Sequence, residues 1–202
     1  MKKGRKVFKI VTCIVALGVI LFCALGAYTL FGSATKSTSD ISYYLAMTGE
    51  GEGHAALSFL GGRAEISCPY DMPTQADLDA CQSYRFDYTA KRVSIFESHA
   101  YILVCKYSDD SYTTQKESVN GKYQQFTGEI PGDGTTLENE FELDGFSFSA
   151  VEGGNYPKRM LFIGCSDSTN EIAYIYFCDT DLDYISESVS EFILEDTGWG
   201  RM

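Results

Sequence analysis

Two histidines, four prolines and one tryptophan in 202 residues leave little of the usual catalytic vocabulary. Only His54 and His99 carry side chains that titrate near neutral pH when unperturbed. The sequence has no H-E-x-x-H, no G-x-S-x-G and no Walker loop, so the local signatures of zinc proteases, α/β-hydrolases and P-loop enzymes are missing. It has no C-x-x-C, which removes zinc ribbons and thioredoxin-like redox sites. No internal repeat occurs, which leaves out solenoids and propellers.

Acid is missing from one end and base is scarce over the rest. The first 32 residues contain no Asp or Glu, whereas "MKKGRKVFK" contains Lys2, Lys3, Arg5, Lys6 and Lys9. All 28 acidic residues follow, with the other 11 of the 16 Lys and Arg. So acidic a remainder argues against binding nucleic acid or anionic lipid through that part. It is compatible with solubility, cation association or a basic partner.

Between the two lies "IVTCIVALGVILFCALGAYTLFG", residues 10–32, without one charge. About 20 apolar residues span a hydrocarbon core, and cleavable signal peptides have shorter apolar regions of about 7–15 residues. The expectation is a signal-anchor. Basic residues ahead of it place the N-terminus in the cytoplasm and the rest outside. Small residues at Gly32 and Ala34 keep cleavage and secretion as the alternative. The expected organisation is a cytoplasmic tail (1–9), a transmembrane signal-anchor (10–32), a juxtamembrane linker (33–54) and an extracytoplasmic α+β domain (55–202).

Within that domain the pattern alternates strands and helices. Gly61-Gly62 is expected to turn a hairpin facing Phe59 with Ala64 and Leu57 with Ile66. Thr74 and Asp77 are spaced as a capping box for a short helix. "AYILVCKY", residues 100–107, is apolar on both faces and reads as a central strand covered on both sides. Tyr112, Lys116, Val119 and Tyr123 follow a helical spacing. Asp144-Gly145 predicts a two-residue turn pairing Leu143 with Phe146 and Phe141 with Phe148. The last helix is expected from about Leu182, with a stripe of Leu182, Ile185, Val189, Phe192 and Ile193, and Trp199 packed on the sheet. The fold class is therefore α+β: an N-terminal transmembrane helix, then a mainly antiparallel sheet of hairpins with a few helices on one side, including a C-terminal amphipathic one.

Three constellations invite chemistry. "CDTDLD" ends an apolar strand in Asp179, Asp181 and Asp183, the residue types that hold divalent cations. An EF-hand is excluded, because Tyr184 stands where Gly is needed and Ser190 where the bidentate Glu should be. The competing explanation is a cap, with Thr180 or Asp181 starting the last helix and acids at its positive end. "GEGEGHA" approximates a dinucleotide fingerprint, yet it follows no strand and carries acids that repel phosphate. Among seven cysteines, Cys68 and Cys81 bracket the short helix and are the disulfide candidate. Cys165 and Cys178 are not expected to pair, because a turn at Ser166–Asn170 sets Cys165 beside Ile172 or Ala173.

These observations point to a non-catalytic binding or interaction module held in the bilayer by its N-terminal helix, meeting an envelope protein or a glycan. Such a module is expected to expose an aromatic patch, although the preference of Tyr for strands accounts for most of the tyrosines. The alternative is a small cell-envelope hydrolase or transferase using His99, Asp179 and Asp181. A further alternative is an accessory subunit of a membrane complex. No cofactor is implied.

Overall fold

The computed structural model describes residues 14–27, 32–57, 59, 66 and 68–202. The Gly61-Gly62 hairpin lies outside the described residues. The chain divides into two compact units, Met1–Ala34 with Arg92–Phe96, and Thr35–Lys91 with Glu97–Met202.

In the first unit residues 14–27 are helical. Its apolar side chains are exposed along the whole stretch, from Ile14 and Val15 to Phe22 and Leu25. Among the described residues no helix is long and apolar enough to cross a membrane. Residues 10–13 and 28–31 of the uncharged run lie outside the described residues.

The elements run β1 (Ser33–Thr38), α1 (Ser42–Thr48), α2 (Gln75–Asp79), β2 (Ser83–Val93), β3 (Phe96–Lys106) and α3 (Asp109–Lys122). They continue with β4 (Ile130–Pro131), β5 (Thr136–Leu137), β6 (Glu140–Leu143), β7 (Phe146–Ala150), β8 (Arg159–Ser166), β9 (Glu171–Asp179) and α4 (Val189–Asp196), then a 3₁₀ turn at Trp199–Arg201. Seven strands form one sheet in the order β1-β2-β3-β9-β8-β7-β6, and β4 and β5 form a separate small ribbon. The α+β class and the mainly antiparallel sheet are as expected. Residues 33–38, expected as linker, form a strand.

The sheet is apolar on both faces, so both must be covered. On one face Tyr88, Tyr101, Leu103, Tyr174 and Tyr176 pack with Tyr44 of α1, Leu78 of α2, and Tyr112 and Val119 of α3. On the other, Ile102, Phe148, Phe162, Ile175 and Phe177 pack with Val189, Phe192 and Ile193 of α4 and with Trp199. Helices on one side only was therefore the wrong arrangement. β9 is the middle strand, buried from Glu171 to Cys178, and it alone joins β3 to β8.

Local chemistry explains several boundaries. Thr74 and Asp77 form the expected capping box at α2. Ser108 caps α3 by accepting the Ser111 N–H. The β6–β7 hairpin has the expected register, Leu143 opposite Phe146 and Phe141 opposite Phe148, with Asp144 and Gly145 at φ 49° and 80°. Trp199 meets the rings of Phe146 and Phe148 nearly edge-on, at 5.4 and 5.2 Å between centroids.

The last helix begins at Val189, not near Leu182. Ser188 and Glu191 make a reciprocal capping box there. Upstream, the Ile185 backbone is already engaged: its N–H donates to the Pro131 carbonyl at 3.0 Å, and its carbonyl accepts the Asp133 N–H at 3.0 Å. A residue bonded on both sides to a neighbouring loop has no groups left for a helical turn.

The tyrosines are mostly core residues, and their hydroxyls explain why Tyr rather than Phe stands there. Tyr44 donates to the Pro73 carbonyl at 2.6 Å, Tyr101 donates to the Ala55 carbonyl, and Tyr88 accepts the Leu57 N–H at 2.9 Å. The stacked pair Tyr88 and Tyr101, 4.2 Å between centroids, thus holds the segment that follows the glycine-rich loop.

Candidate functional site

The three aspartates do not form a cage. Asp179 is partly buried, and its Oδ1 accepts the Asp181 N–H at 2.9 Å, closing a turn of the kind Asp side chains make two residues on. Burial pushes the Asp179 carboxyl upward, against the bonds it accepts. Asp181 is exposed, and Asp183 pairs with Lys158 at 2.9 Å. Among the described residues no group of three His, Cys, Asp or Glu could hold a metal ion. The cap they were expected to supply is absent as well, since Ser188 caps the helix.

His99 is buried, with Nδ1 2.8 Å from the Tyr88 hydroxyl and Nε2 4.0 Å from Glu97. Desolvation pushes its pKa down to about 4, so the ring is neutral at physiological pH. In the β3–β9 register His99 stands opposite Cys178 and Ser98 opposite Asp179. Side chains alternate along a strand, so His99 and Asp179 leave the sheet on opposite faces. His54 is exposed in the loop after α1. The structure does not bring the histidine and the aspartates into one pocket.

Cys68 and Cys81 are both free thiols. Cys81 instead hydrogen-bonds with Cys105 and Tyr107, and its Sγ donates to the Asp77 carbonyl at 3.3 Å. The bond with Cys105 lowers the Cys81 thiol to about 7, against the effect of burial, while Cys105 moves up. Cys165 stands opposite Ile172, so it and Cys178 are not partners, as expected.

The concave feature that does emerge is a groove of about 700 Å³ between α3 and the strands β7 and β8. Its floor is Ser147, Ser149, Ile163 and Cys165, which share a face because Ser147 pairs with Cys165 and Ser149 with Ile163. Its wall includes Asn120, Tyr123 and Gln124. Its two charged lining residues, Lys116 and Asp167, bond to each other at 2.6 Å. Tyr112 adds a bond to the same carboxylate at 2.7 Å, and with Lys116 it holds Asp167 below the usual range. The groove is thus polar and electrically neutral.

Sequence reasoning missed this site. The alternation in "FSFSA" does place Ser147 and Ser149 on one side, but their meeting with α3 depends on sheet order. The expected aromatic patch is not seen: outside the N-terminal helical stretch, the exposed aromatics among the described residues are Tyr84, Phe96 and Tyr184, on separate elements. No protein family, no curated protein and no solved structure matches the chain.

Proposed function

We propose that the protein is a membrane-anchored, non-catalytic binding module whose α+β domain, outside the cell membrane, holds a neutral glycan segment in the groove beside α3. The carrying observation is the groove's chemistry. Amides and hydroxyls line it, its one ion pair is internally satisfied, and Tyr123 is half-buried at its wall. Pockets of several hundred Å³ with a few convergent polar groups are ordinary ligand sites. Sugars offer hydroxyls to amide partners and an apolar ring face to an aromatic. The strongly acidic domain disfavours anionic polymers.

The anchor reading is supported by the basic tail, the uncharged run over residues 10–32 and the exposed apolar side chains of residues 14–27. Apolar exposure on every side of a helix is expected in lipid and not in water.

The test is calorimetry of the full chain in lipid nanodiscs against neutral oligosaccharides, with uncharged polar peptides as a second panel. Saturable sugar binding, lost in Ser149→Trp and Asn120→Trp, is the expected result. Binding that survives both substitutions, or that appears only with the peptides, overturns the glycan assignment.

A further inference from the structure

The turn joining β2 to β3 reads "VSIF", Val93 to Phe96. Turn tips in water favour Gly, Asn, Asp and Ser. Three of these four residues are large and apolar, and all three are exposed: Val93 at 65%, Ile95 at 57% and Phe96 at 47%. Ser94 adopts φ 63°, so the turn is held in a defined conformation and not left slack. The Arg92 guanidinium donates to the Ser94 carbonyl at 3.3 Å.

The position of this tip is also defined. The Ser94 N–H donates to the Gly32 carbonyl at 3.0 Å. Gly32 is the last residue of the uncharged run, where the chain leaves the hydrocarbon in the membrane-anchored reading. A hairpin tip bonded to that residue lies at the depth of the bilayer surface, and its apolar side chains belong to the same compact unit as the run itself.

We infer that Val93, Ile95 and Phe96 form a second membrane contact, inserting into the interfacial layer of the lipid beside the end of the uncharged run at Gly32. The inference rests on the membrane-anchored reading and adds an element to it. Apolar and aromatic side chains are enriched at that depth because ring and methyl groups meet acyl chains there while the backbone reaches water and headgroups. The Ser94 bond to Gly32 ties the tip to the end of the uncharged run, so this unit meets the bilayer at two points instead of one.

The test uses the full chain reconstituted in phosphatidylcholine vesicles, carrying Ile95→Trp, with the parent chain's Trp199 emission subtracted. Alkaline carbonate extraction first reports whether the chain is integral. Lipids brominated near the carbonyl end of the acyl chain then report contact. The expected result is a blue-shifted added emission, quenched roughly two-fold or more by shallow bromines, as interfacial side chains are. Phe96→Trp repeats the reading from the adjacent position. Adding Val93→Asp to Ile95→Trp should return the emission to that of an aqueous indole. A retained chain with unshifted, unquenched emission at both positions overturns the tip contact and leaves the anchor standing. A chain released by carbonate overturns both.

Discussion

His99 and Asp179 belong to strands that pair along their length, yet their side chains leave the sheet on opposite faces. The imidazole enters the tyrosine-rich core against Tyr88, and the carboxylate turns back onto the Asp181 amide. Neither can relay a proton to the other, and each has a structural partner.

The burial of His99 gives its own pH signature. Its folded pKa, about 4, lies below the ordinary value of 6.5. The unfolded state therefore binds the additional proton between those values, so stability falls as pH drops through that window. The stability lost is on the order of 3 kcal/mol once pH is below both. Replacing His99 with Gln should flatten this part of the stability profile, measured by urea unfolding between pH 4 and pH 7. An unchanged slope would show that other groups control it.

Asp179 and Asp183 are engaged by their own chain, and the exposed Asp181 carboxylate by itself is a poor site for a cation. Thermal unfolding in Ca²⁺, Mg²⁺ or Mn²⁺ should show no rise in midpoint with concentration, since only ligands of the folded state raise it. A rise abolished by Asp181→Asn would establish the metal site.

Cys81 should be the fastest-labelled thiol outside the N-terminal helical stretch. Its thiol lies at about 7, whereas burial raises Cys68 to about 12 and moves Cys165 and Cys178 up, and the bond with Cys81, joined by burial, moves Cys105 up. Iodoacetamide labelling followed by peptide mass mapping should show its rate climbing between pH 6 and pH 8, because the thiolate is the nucleophile. Cys105→Ala removes the bond that lowers it and should move that rise to higher pH. Equal rates at all five positions would contradict the cluster.

Gly164 is fixed by its neighbour. A Cβ there would stand 2.5 Å from the Phe148 ring on the paired strand. Gly164→Ala should cost about 1–3 kcal/mol as an overpacked core substitution. Phe148→Leu in the same chain should return part of that loss, so chemical denaturation of the double variant separates crowding from an intrinsic glycine requirement.

Much of this architecture was legible where local chemistry and burial agree. Asp144-Gly145 fixed its hairpin, Thr74 and Asp77 fixed a helix start, and the two-sided apolar run at residues 100–107 announced a covered strand. The last helix misled because its apolar stripe extends upstream through Ile185, whose backbone is claimed by the distant Pro131–Asp133 loop. The groove was illegible for a related reason. Ser147 and Asn120 each look like ordinary solvated positions, and only the placement of β7 and β8 beside α3 makes them neighbours.

The lone junction at β9 sets the order in which the molecule can assemble. Strands β1 to β3 lie on one side of the sheet and strands β6 to β8 on the other, and the two groups meet only through Glu171–Asp179. A chain emerging N-terminus first must hold its early strands open until that segment arrives. Non-local pairing of this kind slows folding, because a long loop closes before any contact rewards it. Truncation before Glu171 would therefore leave two exposed sheet edges, one on β3 and one on β8, with the same missing partner.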